Sequence, residues 1–192
     1  MSSISFISAF DTEKNIGKEY NRIIENINDE WIFIRDGDCL FLTTDYGDRI
    51  AKIIDANKDK YDIIGCMTNR LNLDTHHQRI EGMENEDSIT AHIKLSNELW
   101  KENGTNCKDN DLKPIGAMCM CFKRKVWEQI RFTETDSMHF DKIFCNQAMN
   151  LGYKIGIAEG FYVFHLYRWE FKDKPQNHVG HLLKNTYGIK GF

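Results

Sequence analysis

The chain has 192 residues, of which 41% are hydrophobic and 28% charged, and its formal net charge is −4. That length suits one domain with a real core rather than two, and the composition is that of an ordinary globular protein. No stretch reaches the apolar length that spans a bilayer, and MSSISFISAF lacks the basic start and long apolar run of a secretory leader.

The charge is unevenly spread. Residues 1–110 carry 13 Lys+Arg against 21 Asp+Glu, a net −8, and residues 111–192 carry 12 against 8, a net +4. An acidic half beside a basic half suits a cleft that holds both a cation and a phosphate. It reads equally as a solvated surface. The six cysteines (39, 66, 107, 119, 121, 145) form no CxxC pair, so reduced, mostly buried thiols in a cytoplasmic protein are expected.

In chain order, residues 4–8 alternate and predict a strand. A helix follows, with Ile16, Tyr20, Ile23, Ile24 and Ile27 at helical spacing. The apolar run 31–34 predicts a buried strand, ending in Arg35-Asp36-Gly37-Asp38. A helix over 48–58 and a strand over 61–67 come next. Residues 68–87 are polar and irregular, and the adjacent His76 and His77 would point apart rather than chelate together. Ser88 reads as the cap of a helix to Trp100, stopped by Asn103-Gly104. A strand over 115–122, a short helix over 124–130 and a helix over 141–151 closed by Gly152 complete the helical part. Strands over 154–158 and 161–166 precede a basic tail from Trp169. Strands alternating with helices predict an α/β layered fold with a mainly parallel sheet, whose ligands sit beyond the carboxyl ends of the strands.

Asp36 and Asp38 fall at such an end. Two carboxylates separated by Gly after an apolar strand can turn into a cleft and share a hard divalent cation, which would bridge a diphosphate. Asp-Gly is also a common turn pair, so the triplet alone reads first as a plain strand-to-loop turn. His165 closes an aromatic-rich strand. It is either a hydrogen-bonded core residue or a metal ligand better suited to manganese than to calcium. Of the tryptophans, Trp127 reads as core with Val126 and Ile130. Trp169 is the better sugar-contact candidate, and Trp100 the weaker one.

The succession of strand, helix, strand and Asp36-Gly37-Asp38, then Gly116-Ala117-Met118, Asp141-Lys142-Ile143-Phe144-Cys145, Gly152-Tyr153-Lys154-Ile155 and His165-Leu166-Tyr167-Arg168, resembles the family 2-like glycosyltransferases. The resemblance covers about residues 4–168. It implies the GT-A (nucleotide-diphospho-sugar transferase) fold, Rossmann-like and layered, as a single domain over 1–192. Outside the resemblance, the basic tail over about 169–192 suggests a lid, its Gly-containing segment 174–192 closing over a bound donor. The resemblance also implies a metal-dependent, inverting hexosyl transfer from a nucleotide sugar, UDP-sugar favoured, to a hydroxyl acceptor of unspecified class. On this resemblance Asp38, His165 and Asp36 serve a Mn2+ or Mg2+ ion, with Asp36 contacting the ribose or a metal-bound water. Ala9, Phe10, Asp11 and Asn21 face the nucleoside, although Phe10 and Asn21 read equally as ordinary packing and helix surface. Arg168 reaches the diphosphate or is a plain surface residue, and Asp141 is the catalytic base or a plain helix N-terminal cap. The chain departs from the family by passing from its first helix straight to the strand before Asp36, omitting βα units that larger members carry. Two other readings share the scaffold. A nucleotidyltransferase ordinarily has a Gly-rich basic loop after the first strand, which Ser8-Ala9-Phe10-Asp11 is not. A non-catalytic nucleotide-sugar-binding domain is the other, since fold does not fix function.

Overall fold

The computed structural model describes residues 2–11, 15–71, 76–86, 88–110, 113–135 and 139–166. The elements are β1 (Ile4–Ile7), α1 (Ile16–Ile24), β2 (Trp31–Arg35), β3 (Cys39–Leu40), α2 (Tyr46–Asn57), β4 (Ile63–Thr68), a 3-10 turn (His76–Gln78), α3 (Ile89–Asn103), β5 (Cys107–Asp109), β6 (Cys119–Lys123), α4 (Arg124–Ile130), α5 (Phe140–Asn150) and β7 (Ile155–His165).

One seven-stranded sheet runs in the order β1-β2-β6-β4-β7-β3, with β5 joined to β7 off this path. β1 is parallel to β2 and β4 to β7, while β6 lies antiparallel between β2 and β4. Four strands therefore point one way and aim their carboxyl ends at the same edge. β2 shows why the sheet reads as an unbroken apolar run. Ile32 and Ile34 enter a core with Tyr20, Phe122, Trp127 and Phe144, while Trp31 and Phe33 enter the opposite core with Ile50, Ile54, Tyr61 and Val163. A strand covered on both faces has no polar side to alternate with.

Helix ends follow local chemistry. Asn15 accepts from the Lys18 N–H at 3.1 Å to open α1, and Ser88 accepts from the Ala91 N–H at 3.3 Å to open α3. Gly104 (φ 53°) and Gly152 (φ 84°) stand where α3 and α5 stop, a backbone region that costs other residues energy.

Three features differ from the sequence reading. The two strands expected over 154–158 and 161–166 are one, β7. Its register against β4 jumps from Cys66↔Ala158 to Met67↔Tyr162, so residues 159–161 bulge. The strand expected over 115–122 begins only at Cys119, because side chains rather than a ladder hold Gly116 and Ala117. The short β3 and β5 carry no readable pattern. All six cysteines are free, with Cys107 half-buried and the others buried. No helix among the described residues is long and apolar enough to cross a membrane.

Candidate functional site

The convergent strand ends build the site. At the end of β2 the Asp36 N–H donates to the Met118 carbonyl at 3.0 Å, and the Cys39 N–H donates to the Asp36 carbonyl at 3.2 Å. These bonds fold Asp36-Gly37-Asp38 into a tight turn. β3 then pairs antiparallel with the end of β7, setting Cys39 opposite His165, and the Leu166 N–H donates to the Asp38 carbonyl. The result places Asp38 Oδ1 3.3 Å from His165 Nε2.

β4 supplies the support. The His165 backbone N–H donates to Asn69 Oδ1 at 2.8 Å, and His165 Nδ1 lies 2.9 Å from the Arg70 carbonyl. A carbonyl only accepts, so Nδ1 carries the proton and Nε2 faces Asp38. One ligand atom each from Asp38, Cys39 and His165 lies within 4.8 Å of the others. Asp36, expected to share the ion, stands outside this trio.

The floor is clamped from two sides. Gln78, fully buried, donates to the Cys66 carbonyl at 3.1 Å and accepts from the Gly116 N–H at 2.9 Å. The Ala117 N–H donates to Asp141 Oδ2 at 3.0 Å. Asp141 is in the first turn of α5, and its Oδ1 accepts from the Lys142 N–H at 2.7 Å.

Acidic charge accumulates here. Burial pushes the Asp36 carboxyl up to about 7; His165 opposes this, and the Asp38 and Asp141 charges reinforce it. Burial raises Asp141 as well, against the stabilising Ala117 and Lys142 N–H groups. Burial works against charge on His165, but the hydrogen bond and charge of Asp38, the Arg70 carbonyl and Asp36 together raise its pKa. Carboxylates that hold each other's protons beside an imidazole are a donor set that a divalent cation fits.

The remaining expected residues divide. Ala9, Phe10 and Asp11 follow β1 at the same sheet edge. Phe10 is 82% exposed, and Asp11 accepts from the Asn15 N–H at 2.6 Å ahead of α1. Asn21 does not face a ligand. It is buried, its Nδ2 donates to the Phe132 carbonyl (2.9 Å) and Glu134 Oε1 (3.0 Å), and its Oδ1 accepts from Trp127 Nε1 (2.9 Å) and the Phe132 N–H (3.0 Å). Those bonds use its full capacity, which corrects the nucleoside-contact expectation. Trp127 is core as expected, and Trp100 packs beneath the Arg49 guanidinium. Arg168, Trp169 and the tail lie outside the described residues.

Sequence reasoning missed Cys39, Asn69, Arg70 and Gln78. An unread neighbour of the site is a cleft of about 210 Å³ bounded by Phe6, Ser8, Phe33, Arg35, Phe41 and Tyr46, in which the Phe41 and Tyr46 rings stack 4.0 Å apart.

No family model matches the sequence, and no curated protein matches it. Similarity is found at the level of solved structures. Residues 1–349 of TarS from S. aureus match with a TM-score of 0.51 and 12% identity, over 82% of this chain and 42% of that one. The mannosyltransferase PcManGT from Pyrobaculum calidifontis, in complex with GDP-Man and Mn2+, matches with a TM-score of 0.51 and 12% identity, over 91% of this chain and 44% of that one. The chain has the GT-A fold. It spans less than half the length of either structure, and at this identity the likeness is one of fold.

Proposed function

We infer that this protein is a metal-dependent glycosyltransferase of the family 2-like kind. It transfers a hexosyl group from a nucleotide-diphosphate sugar, UDP-sugar favoured, to an acceptor hydroxyl with inversion. One observation carries the reading. On a GT-A fold, the carboxyl ends of β2 and β7 bring Asp38 to 3.3 Å from His165, at the edge where Asp36 and Asp141 also gather. The GDP-Man and Mn2+ in the PcManGT complex support a nucleotide sugar and a divalent cation as ligands of such a scaffold.

Asp38 and His165 hold the cation, Mn2+ or Mg2+, and His165 is kept in register by Asn69 and the Arg70 carbonyl. The bound ion supplies charge neutralisation for the departing diphosphate. Asp36, with a proton affinity near neutrality, contacts the ribose and can donate or accept there. Ala9, Phe10 and Asp11 border the nucleoside, and Arg168 reaches the diphosphate. Asp141 takes the acceptor hydroxyl proton as that oxygen bonds to the anomeric carbon and the nucleoside diphosphate leaves. Its raised pKa makes it the better base for this step. A single base opposite the leaving group produces in-line displacement.

The test is nucleotide binding with and without Mn2+. Asp38→Ala and His165→Ala should each abolish Mn2+-dependent UDP binding while the circular dichroism spectrum is retained. Unchanged Mn2+-dependent binding in both variants would sink the assignment.

A further inference from the structure

Cys39 follows Asp38 directly and stands opposite His165 in the β3–β7 pair. Opposed residues of an antiparallel pair point to the same face with Cβ atoms about 4.5–5.5 Å apart. Pairing register therefore brings a thiol beside an imidazole 126 positions further along the chain. The sulfur, an Asp38 carboxylate oxygen and a His165 ring nitrogen all lie within 4.8 Å of one another, and the oxygen–nitrogen edge is 3.3 Å.

A tetrahedral ion bound at about 2.0–2.3 Å needs ligand-to-ligand edges of about 3.3–3.8 Å, so side-chain movements of about 1 Å close this trio on an ion. Burial is graded across it. Cys39 and His165 are 1% and 4% exposed, whereas the Asp38 side chain is 45% exposed. The protein encloses the sulfur and nitrogen and leaves the oxygen side open. Behind the imidazole the Arg70 carbonyl fixes the ring. Partners placed in this way orient ligands and raise their affinity for metal.

We propose that Asp38, Cys39 and His165 form an oxygen–sulfur–nitrogen site for a thiophilic divalent cation of the Zn2+ or Co2+ class. Its fourth position faces the open side at Asp38. The inference deepens the metal site of the proposed glycosyltransferase and rests on that reading only for the phosphate oxygen that would take the fourth position. A thiolate is a soft ligand, so the site ranks Zn2+, Co2+ and Cd2+ above Mg2+ and Mn2+, which prefer carboxylate and water. A turn with two carboxylates alone would give the opposite order.

Co2+ alone, titrated into the full chain and followed by absorption, tests the site directly. One equivalent should produce tetrahedral d–d bands and a near-ultraviolet thiolate-to-cobalt charge-transfer band. Cys39→Ser should remove that band and weaken Zn2+ by about 100-fold or more, since even partners outside the ligand set are worth ~10–100-fold in affinity. The same variant should move Mn2+ affinity by less than about threefold, because a hydroxyl is an adequate hard donor. His165→Gln should weaken both ions, and Cys66→Ser should keep the band. A wild-type cobalt complex without a thiolate band, or a band that survives Cys39→Ser, overturns the site. If Cys39→Ser does not fold, Asp38→Asn decides, because unaltered cobalt affinity in that variant also overturns it. Mn2+-dependent UDP binding without any thiolate band would defeat this inference and leave the glycosyltransferase standing. A thiolate band in a protein with no nucleotide affinity would do the reverse.

Discussion

Asn21→Ala separates a structural role from a ligand-binding one at the position where the sequence reading fails. The amide ties α1 to Trp127 of α4 through one hydrogen bond and to the segment after α4 through three. Truncation leaves the Trp127 indole N–H, the Phe132 N–H and the Phe132 carbonyl buried without that partner, whereas Glu134 keeps access to water. Each orphaned buried group costs about 1–3 kcal/mol. The lower figure for all of them comes to about 3 kcal/mol, a large fraction of a typical domain stability of ~5–15 kcal/mol. Urea unfolding followed by tryptophan fluorescence should show the midpoint falling with little change in slope. Affinity for UDP under folding conditions should stay within about threefold of wild type, since no atom of Asn21 is left to meet a ligand. A loss under ~1 kcal/mol would refute the reasoning. So would a large affinity loss at unchanged stability, which would restore the nucleoside contact.

Gly160→Ala would set a Cβ 2.2 Å from the Gly104 carbonyl oxygen, a backbone atom at the end of α3. A cost of about 3 kcal/mol and a drop in Tm of roughly 10 °C are expected by calorimetry; an unchanged Tm would contradict the packing of the β7 bulge. The Asp36 carboxyl rises from 3.8 to about 7 on folding, so its contribution is complete below pH 3.8 and is lost as pH climbs toward 7. His165, raised from 6.5, acts in the same sense, present below that value and lost as pH rises through its folded pKa. The metal-free protein should therefore weaken between about pH 4 and pH 7, by at most about 4 kcal/mol from Asp36, and Asp36→Asn should flatten the urea midpoint against pH. Equal pH dependence in the two proteins would refute this. Asp141→Asn should bind Mn2+ and UDP normally and lose transfer by about 100-fold or more. Turnover within a few-fold of wild type, or retention at the anomeric carbon, would show the base assignment to be wrong.

Periodicity and end signals in the chain itself determined most of the elements that place the site. The helical spacing of Tyr20 and Ile24 puts both in the core, Ser88 opens α3, and the apolar run before Asp36 is a strand buried on both faces. These are local choices, decided by side chains within a few positions of one another. Asp36 and Asp38 at a strand end, and His165 at another, were legible for the same reason. Their 3.3 Å meeting was not, because it depends on the register of the two-residue strand β3, too short to carry a pattern. Asn21 shows the same limit from the other side. On the sequence it is a polar residue on a helix, indistinguishable from one that meets a ligand or water. Its partners stand 106 to 113 positions away and become neighbours only when α1 packs on α4 and the segment after it. Burying a polar group is costly unless it is hydrogen-bonded, and long-range packing supplies those partners. Tertiary structure alone therefore decided which polar residues hold the fold and which remain available for chemistry.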